Sequence, residues 1–297
     1  MRKQLAALLL TIFALSLTAC GEKSAESETR TVYAMDTVMN LTVYGGNAAA
    51  ALESAEKELH TLDEAVLSRT AKGSELYALN ASDGETVEYG VDDALPALIE
   101  TALTISDATD GAFDPTLAPV LDAWGFTKDT HRVPSADELT ELLSHTGCGK
   151  VRFEKTADGY AVTLLDGAQL DLGGIAKGYA ADVLRAQLEQ EGVTSAALDL
   201  GGDVFVMGRK TDGSGWRIAV KDPADTESYL GVVTASDKFI VTSGVYERYF
   251  EENGVRYHHI LDPKTGSPAE SGLVSVTVQC ENGAWADALS TACFVLG

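Results

Sequence analysis

Cysteine and positive charge are scarce in this chain, and each shortage excludes a class of protein. The four cysteines are widely spaced, and those after Cys20 form neither a disulfide framework nor a cysteine metal cluster. Lys and Arg number 22 against 45 Asp and Glu, which gives a formal net charge of −23 at pH 7. So acidic a chain does not bind nucleic acid non-specifically and is repelled by anionic lipid. An anionic ligand therefore needs a local positive site or a divalent cation.

The apolar run near the N-terminus is shorter than a typical membrane-spanning helix. Residues 5–17 follow a short basic start and are typical of a signal peptide. Small residues then precede Cys20, as in a bacterial lipoprotein cleavage site, although a cysteine can also follow a signal peptide by chance. We therefore expect residues 1–19 to be a signal peptide and residues 20–30 to contain the lipidated Cys20 and a flexible tether. The mature chain would be lipid-anchored to the bacterial cell membrane, on its extracytoplasmic face.

The remaining residues, 31–297, contain no internal repeat or linker, and their periodicity predicts one α+β unit. Helices are predicted over residues 48–67, 92–109, 117–124, 135–144, 175–191 and 286–296, with a shorter one after Ser74. Strands are predicted in residues 31–44, interrupted at 35–37, and at 151–153, 160–165, 169–172, 195–200, 203–209, 216–220, 229–235, 239–243, 248–250, 257–261 and 272–279. The first half is thus expected to be helix-rich and the second half strand-rich.

The segment DLGGIAKGYAAD, residues 171–182, is the most informative part of the chain. A predicted strand runs into Gly173 and Gly174, and a helix that starts near Ile175 carries Lys177 in its first turn. The N-terminus of a helix presents free N–H groups and the positive end of the dipole, which suits a phosphate. The alternative is a tight strand-to-helix turn with a solvated lysine. The glycine spacing matches neither the dinucleotide fingerprint nor the P-loop.

The segment ADALST, residues 286–291, places three oxygen donors on one helix face. Asp287, Ser290 and Thr291 are spaced i, i+3 and i+4. Oxygen donors without histidine or cysteine suit a hard cation such as Mg²⁺ or Ca²⁺. The alternative is an ordinary first helical turn, in which Asp287 meets the helix dipole and the hydroxyls bond back to preceding carbonyls.

Two further segments contain candidate site residues. His258 and His259 are adjacent on a predicted strand, so only one of them can line a given site. A histidine beside the turn at Asp262 is a candidate for acid–base chemistry, and a surface histidine next to a structural turn is the alternative. Phe113, in the loop GAFDPT, either stacks on a flat ring system or fills the core. Residues 198–203, LDLGGD, favour a tight hairpin.

Together and in this order, these segments resemble the ApbE family, the FAD:protein FMN transferases. The resemblance runs from about Thr31 to Gly297. It rests on AMDT (34–37), SEL (74–76), GAFDPT (111–116), DLGGIAKGYAAD (171–182), LDLGGD (198–203), TSG (242–244), HHILDPKTG (258–266) and ADALSTACFVLG (286–297).

The resemblance implies a two-lobed catalytic unit in which FAD lies extended in a cleft between the lobes, with its pyrophosphate near Mg²⁺. The residues implied to bind FAD are Met35, Ala112, Phe113, Asp114, Asp171, Gly173, Gly174, Lys177, His259 and Ile260. The implied metal ligands are Asp287, Thr291 and Ser290, with a backbone oxygen of Ala176. The implied base that assists the acceptor is His259 or a nearby carboxylate such as Asp262.

The implied reaction moves FMN from FAD to a threonine or serine hydroxyl of an acceptor flavoprotein and releases AMP. The acceptor, a subunit of a membrane redox complex, would carry a D-G-x-[ST]-G-A-T-type segment. The alternatives are an FAD pyrophosphatase that releases FMN and AMP, and a lipid-anchored FAD-binding protein without turnover.

Three features depart from the family pattern. Asp36 stands where many members have glycine, and residues 70–73 lack the aromatic residue often found before SEL. The chain also ends at Gly297, the last residue of the segment 286–297, so we expect the family domain to be truncated at its C-terminus.

Overall fold

The computed structural model describes residues 27–126, 128 and 130–297. The expected signal peptide and Cys20 lie outside the described residues. The expected tether is corrected at its end, because the first strand begins at Ser27 and residues 27–30 pair within a sheet. Within the described residues, no helix has both the length and the apolar character needed to cross a membrane.

The described residues contain seven α-helices and thirteen strands. The helices are α1 (Ala48–His60), continued by a π-helix (Thr61–Leu67), α2 (Glu75–Asn80), α3 (Ala94–Ala108), α4 (Ala118–Trp124), α5 (Ala136–Leu143), α6 (Ala176–Gln190) and α7 (Gly283–Leu296), with a 3₁₀ turn at Cys148–Lys150. The strands are β1 (Ser27–Ala34), β2 (Thr37–Tyr44), β3 (Val87–Gly90), β4 (Val151–Lys155), β5 (Gly159–Leu164), β6 (Ser195–Asp199), β7 (Asp203–Gly208), β8 (Trp216–Asp222), β9 (Asp225–Ala235), β10 (Lys238–Gly244), β11 (Tyr249–Glu252), β12 (Val255–His258) and β13 (Ser275–Cys280).

A six-stranded antiparallel sheet, in the order β1-β2-β6-β7-β10-β13, is the centre of the fold. Helix α1 packs on β1 and β2, α7 packs on β10 and β13, and α6 contacts both helices. Side chains alternate across the sheet, so Phe239 and Val241 of β10 face the helices while Ile240 packs with Trp216 beneath the β8–β9 hairpin. The large core between the sheet and the helices therefore fixes where α6 and α7 meet.

A three-stranded sheet, β3-β5-β4, and the β11–β12 hairpin complete the fold. The hairpin contributes Phe250 to a smaller core with Trp124 of α4 and Leu139 of α5. The predicted class, α+β with a helix-rich first half and a strand-rich second half, is confirmed. The predicted caps are also present, since the side chains of Ser74 and Ser135 accept hydrogen bonds from the first turns of α2 and α5.

Two local predictions are wrong or incomplete. Residues 169–172 do not form a strand, because the side chain of Asn80 hydrogen-bonds both the N–H and the carbonyl of Leu170, at 2.7 and 2.8 Å. Only an isolated bridge between Gln169 and Leu117 remains there. Strand β3 was not predicted, since its four residues are too short for a periodic signal.

Candidate active site

An open cleft of about 500 Å³ lies between the main sheet with α6 and α7 on one side and the loops around α4 on the other. Thirteen of the fifteen residues predicted for the site line it. They are Met35, Ala112, Phe113, Asp114, Asp171, Gly173, Gly174, Ala176, Lys177, His259, Ile260, Asp287 and Thr291. The structure thus brings together residues that are up to 256 positions apart (35 to 291) in the chain.

The other two predicted residues, Ser290 and Asp262, do not line the cleft. Ser290 is fully buried, and its hydroxyl donates to the Asp287 carbonyl at 2.8 Å and lies 2.6 Å from the Ser243 hydroxyl. The Ser290 hydroxyl thus bonds back to a preceding carbonyl, as in the alternative interpretation, and its role as a metal ligand stays a prediction. The Asp262 carboxylate accepts the N–H of Lys264 at 2.9 Å and so stabilises its own turn. The role of Asp262 as the base stays a prediction.

The centre of the cleft is an ion cluster of one lysine and two carboxylates. Lys177 Nζ lies 2.9 Å from Asp203 Oδ2 and 3.6 Å from Asp287 Oδ1. Asp203 begins β7 and is 3% exposed, and Asp287, on α7, is also 3% exposed. The three side chains come from three elements that meet only in the folded protein. The solvated lysine considered as an alternative is excluded by these contacts.

Charge is unevenly compensated in this cluster. Burial by itself lowers the pKa of Lys177, but Asp203 and Asp287 outweigh it, so that the pKa of the ammonium is raised and the lysine is charged. Burial and the neighbouring Asp287 raise the pKa of Asp203 well above its ordinary value, in spite of Lys177. Two carboxylates thus share one cation, and the cluster has room for further positive charge.

Two glycines let α6 and α7 approach closely enough to build this cluster. A methyl group on Gly178 would overlap the carbonyl of Gly283 and lie 2.8 Å from Cβ of Asp287. The N–H of Gly178 donates to Asp287 Oδ2 at 3.1 Å. Asp182, one helical turn further along α6, accepts the N–H groups of Gly283 and Ala284 at 2.8 and 2.9 Å. Much of the segment 171–182 therefore serves to dock α7.

The Gly-Gly turn is less free to bind a phosphate than the sequence suggested. The N–H of Gly173 already donates to Asp171 Oδ1 at 2.8 Å. The other oxygen of Asp171 is 2.7 Å from Nε of Arg69, which also pairs with Asp122 at 3.0 Å. The glycines line the cleft as predicted, but the amide of Gly173 is occupied by a local carboxylate.

His259 is placed as a neutral imidazole on the cleft wall. Its Nδ1 lies 3.1 Å from the carbonyl of Arg248. A carbonyl only accepts, so Nδ1 carries the hydrogen and Nε2 has the free lone pair. Burial lowers the pKa of His259 to about 4, and the positive charges of Arg248 and Lys177 act in the same direction. The ring is therefore unprotonated at neutral pH.

The two adjacent histidines face opposite sides, as predicted. His258 is buried and packs edge-on against Phe294, with ring centroids 5.5 Å apart. It lines a separate small cavity, whereas His259 lines the cleft. Phe113 is 4% exposed and belongs to the main core, yet its edge reaches the cleft wall beside Gly174. The core position of Phe113 is thus confirmed, and its stacking on a flat ring system stays a prediction.

Five charged residues of the cleft were missed. They are Asp63, Arg69, Asp203, Glu247 and Arg248. Asp203 directly follows the Gly-Gly pair of LDLGGD, a repeat of the pattern before Lys177, and this repeat was a usable signal. Nothing in the local sequence of Arg69 or Arg248 distinguishes it from a surface arginine.

The residues implied for a metal form a partial oxygen set. In the part of the chain that the structure describes, no three His, Cys, Asp or Glu side chains converge on a metal site. Asp287, Thr291 and Ala176 all line the cleft. Hard oxygen donors beside a cluster with excess carboxylate charge fit a divalent cation such as Mg²⁺.

The fold and the site define an α+β protein with a polar, charged ligand cleft, and comparison with known proteins specifies the family. A family model described as the ApbE family matches residues 35–297. The FAD:protein FMN transferase of Treponema pallidum (strain Nichols) is 38% identical over 296 residues, which cover 94% of this chain and 82% of that protein. The chain belongs to the ApbE family, as its motifs predicted.

Solved structures agree with this assignment. The ApbE protein from Thermotoga maritima is 38% identical and matches with a TM-score of 0.84, covering 91% of this chain and 87% of that one. The apo form of the flavinyl transferase ApbE from Pseudomonas stutzeri is 33% identical, with a TM-score of 0.81 and coverage of 94% and 87%.

Proposed function

We propose that this protein transfers FMN from FAD to a threonine or serine hydroxyl of an acceptor flavoprotein in a Mg²⁺-dependent reaction that releases AMP. Family membership and the relatives' names support flavin transfer. The observation that supports the chemistry is the meeting of Lys177, Asp287 and His259 in one cleft. Such a site offers positive charge, an oxygen ligand and a base, which displacement at phosphorus requires.

The metal would be held by Asp287, Thr291 and the carbonyl of Ala176. When bound there, Mg²⁺ supplies positive charge to the phosphate oxygens. Asp203 keeps the Lys177 ammonium in place at 2.9 Å. Lys177 then adds a fixed positive charge near the substrate, in a protein whose net charge of −23 otherwise repels a dinucleotide.

His259 is the proposed base. The acceptor hydroxyl gives its proton to Nε2 of His259 as its oxygen bonds to the phosphorus on the FMN side of the pyrophosphate. The bond from that phosphorus to the bridging oxygen breaks, and AMP leaves with the electron pair. The Arg248 carbonyl, 3.1 Å from Nδ1, keeps the imidazole in the tautomer that this step needs.

We propose that the reaction takes place outside the cytoplasm. The lipoprotein-type sequence before Cys20 supports a lipid anchor on the cell membrane. An acceptor with a D-G-x-[ST]-G-A-T-type segment, in a membrane redox complex, would be within reach of such an anchored enzyme.

A transfer assay tests the proposal. Protein starting at Gly21 is incubated with FAD, Mg²⁺ and a protein that carries the acceptor segment, and flavin fluorescence is measured on the acceptor band of a denaturing gel. We expect a fluorescent band that disappears with EDTA and in Asp287→Ala. The exposed Asp137→Ala serves as a matched control and keeps the band.

His259→Ala is expected to lower the transfer rate by about 10²–10⁴-fold, the usual contribution of a positioned base. Transfer at the parent rate would show that another group takes the proton. FMN and AMP in solution without labelled acceptor would instead identify a pyrophosphatase, in which water replaces the hydroxyl. Intact bound FAD without products would identify a flavin-binding protein.

A further inference from the structure

Arg248 stands out among the cations of the cleft because its charge is not compensated. The cleft is lined by three cationic side chains, Arg69, Lys177 and Arg248. Arg69 pairs with Asp122 and Asp171, and Lys177 pairs with Asp203 and Asp287. Within residues 27–126, 128 and 130–297, Arg248 has no carboxylate at ion-pair distance. The only described partner of its guanidinium is the Asp36 carbonyl, 3.4 Å from Nη2.

The difference in ion pairing among the three cations determines where a bound anion is stabilised most. Arg69 and Lys177 are already paired with carboxylates, so a phosphate gains less from either of these charges than from a cation without such a partner. The Arg248 guanidinium, half-buried at the same cleft, offers a full charge and several N–H donors. Guanidinium groups bind phosphate oxygens through paired, charge-assisted hydrogen bonds.

The main chain of Arg248 ties this cation to the proposed base. The Arg248 carbonyl accepts the backbone N–H of His259 and its ring N–H, both at 3.1 Å. The guanidinium contacts the Asp36 carbonyl in the β1–β2 turn, where Met35 and Asp36 have φ values of 50° and 57°. Left-handed backbone at two non-glycine residues is costly and is held by its surroundings. Arg248 thus bridges the turn and His259, both on the cleft wall.

We infer that Arg248 binds a phosphate group of the dinucleotide substrate next to His259, and that its main-chain carbonyl positions the imidazole. The inference rests on the proposed function, since it takes a pyrophosphate-containing flavin as the ligand. A phosphate bound by the guanidinium lies beside the base. Arg248 thus fixes both the position of the anion and the tautomer of the His259 ring.

Binding of two flavins, of which only FAD carries the pyrophosphate and its adenosine, tests this inference without turnover. Riboflavin and FAD are titrated into the protein in EDTA, and flavin fluorescence gives each Kd. Arg248→Met keeps the backbone carbonyl and removes the charge. We expect it to weaken FAD binding roughly 10–100-fold and to leave riboflavin binding within about twofold. Arg248→Lys should recover part of the FAD affinity, and Arg217→Met, at an exposed position of β8, should change neither Kd.

Two outcomes would overturn the inference. Unchanged FAD affinity in Arg248→Met would show that the guanidinium does not bind phosphate. An equal loss for FAD and riboflavin would show that Arg248 only maintains the structure of the cleft. A parent protein that binds FAD but labels no acceptor would contradict the proposed function instead, and the comparison of the two flavins would still decide the role of Arg248.

Discussion

His259 and Lys177 show how the same cleft drives two basic side chains to opposite charge states. Burial lowers the pKa of both groups. Two carboxylates raise the pKa of Lys177 and outweigh its burial. His259 instead lies beside the backbone carbonyl of Arg248 and two cations. The lysine therefore remains charged and the histidine neutral, which are the states that charge stabilisation and proton abstraction need.

The neutral state of His259 has a measurable linkage to stability. The pKa is about 4 in the folded protein and 6.5 is the ordinary value, so between these pH values the unfolded chain binds the proton and the folded protein does not. Stability from this group is thus fully present above pH 6.5 and is lost as the pH falls toward 4. Relative to His259→Gln, we expect the parent to lose about 2–3 kcal/mol of unfolding free energy between pH 7.5 and pH 4.5.

Urea unfolding of both proteins at the two pH values measures this difference. Other titrating groups affect parent and variant alike, so they cancel. A difference that is independent of pH would mean that His259 titrates near its ordinary pKa.

At the scale of elements, the contact of α6 with α7 decides the geometry of the site. Gly178 interrupts a good helical pattern, and helix propensity alone predicts that alanine would stabilise α6 by about 1 kcal/mol. The structure reverses this expectation, because a methyl group there overlaps the Gly283 carbonyl and crowds Asp287. The helices would have to separate, and Asp287 would move away from Lys177.

Gly178→Ala is therefore expected to destabilise the protein by about 1–3 kcal/mol and to lower FMN transfer by about 10²-fold. Urea unfolding and the gel assay measure the two effects. Gly231→Ala is the control, because a methyl group at that position of β9 meets no atom within 4 Å. Increased stability in Gly178→Ala would show that the two helices adjust without cost.

On the scale of the whole molecule, the net charge of −23 means that cations can stabilise the fold in two ways, by general screening and by specific binding. Any salt screens the self-repulsion of so acidic a protein. A metal that binds the folded state adds stability by mass action. We expect MgCl2 to raise Tm roughly 2–4 °C more than NaCl of the same ionic strength in the parent, and no more than NaCl in Asp287→Asn.

Thermal unfolding in the two salts, with EDTA as the metal-free reference, checks this expectation. Equal effects of both salts on the parent would contradict a Mg²⁺ site at Asp287. An extra Mg²⁺ effect that persists in Asp287→Asn would place the ion elsewhere.

Much of the fold follows from local patterns in the sequence. Apolar spacing predicted the long helices and most strands of the second half, because amphipathic elements must bury one face. The strand at residues 169–172 was wrong because Asn80, 90 positions away, hydrogen-bonds the backbone of Leu170. Strand β3 was missed because four residues cannot establish a period.

The sequence alone determined the class of fold, the family and thirteen of the residues that line the cleft, because each motif, at Lys177, His259 and Asp287, is a continuous stretch of the chain. Only the tertiary structure decided how they work together. The pairing of Lys177 with Asp203, the burial of Ser290, the uncompensated charge of Arg248 and the approach of Gly178 to Gly283 depend on distances between remote segments. Electrostatic and steric effects act through space over a few ångströms, and that spacing exists only after the sheet and its helices have packed.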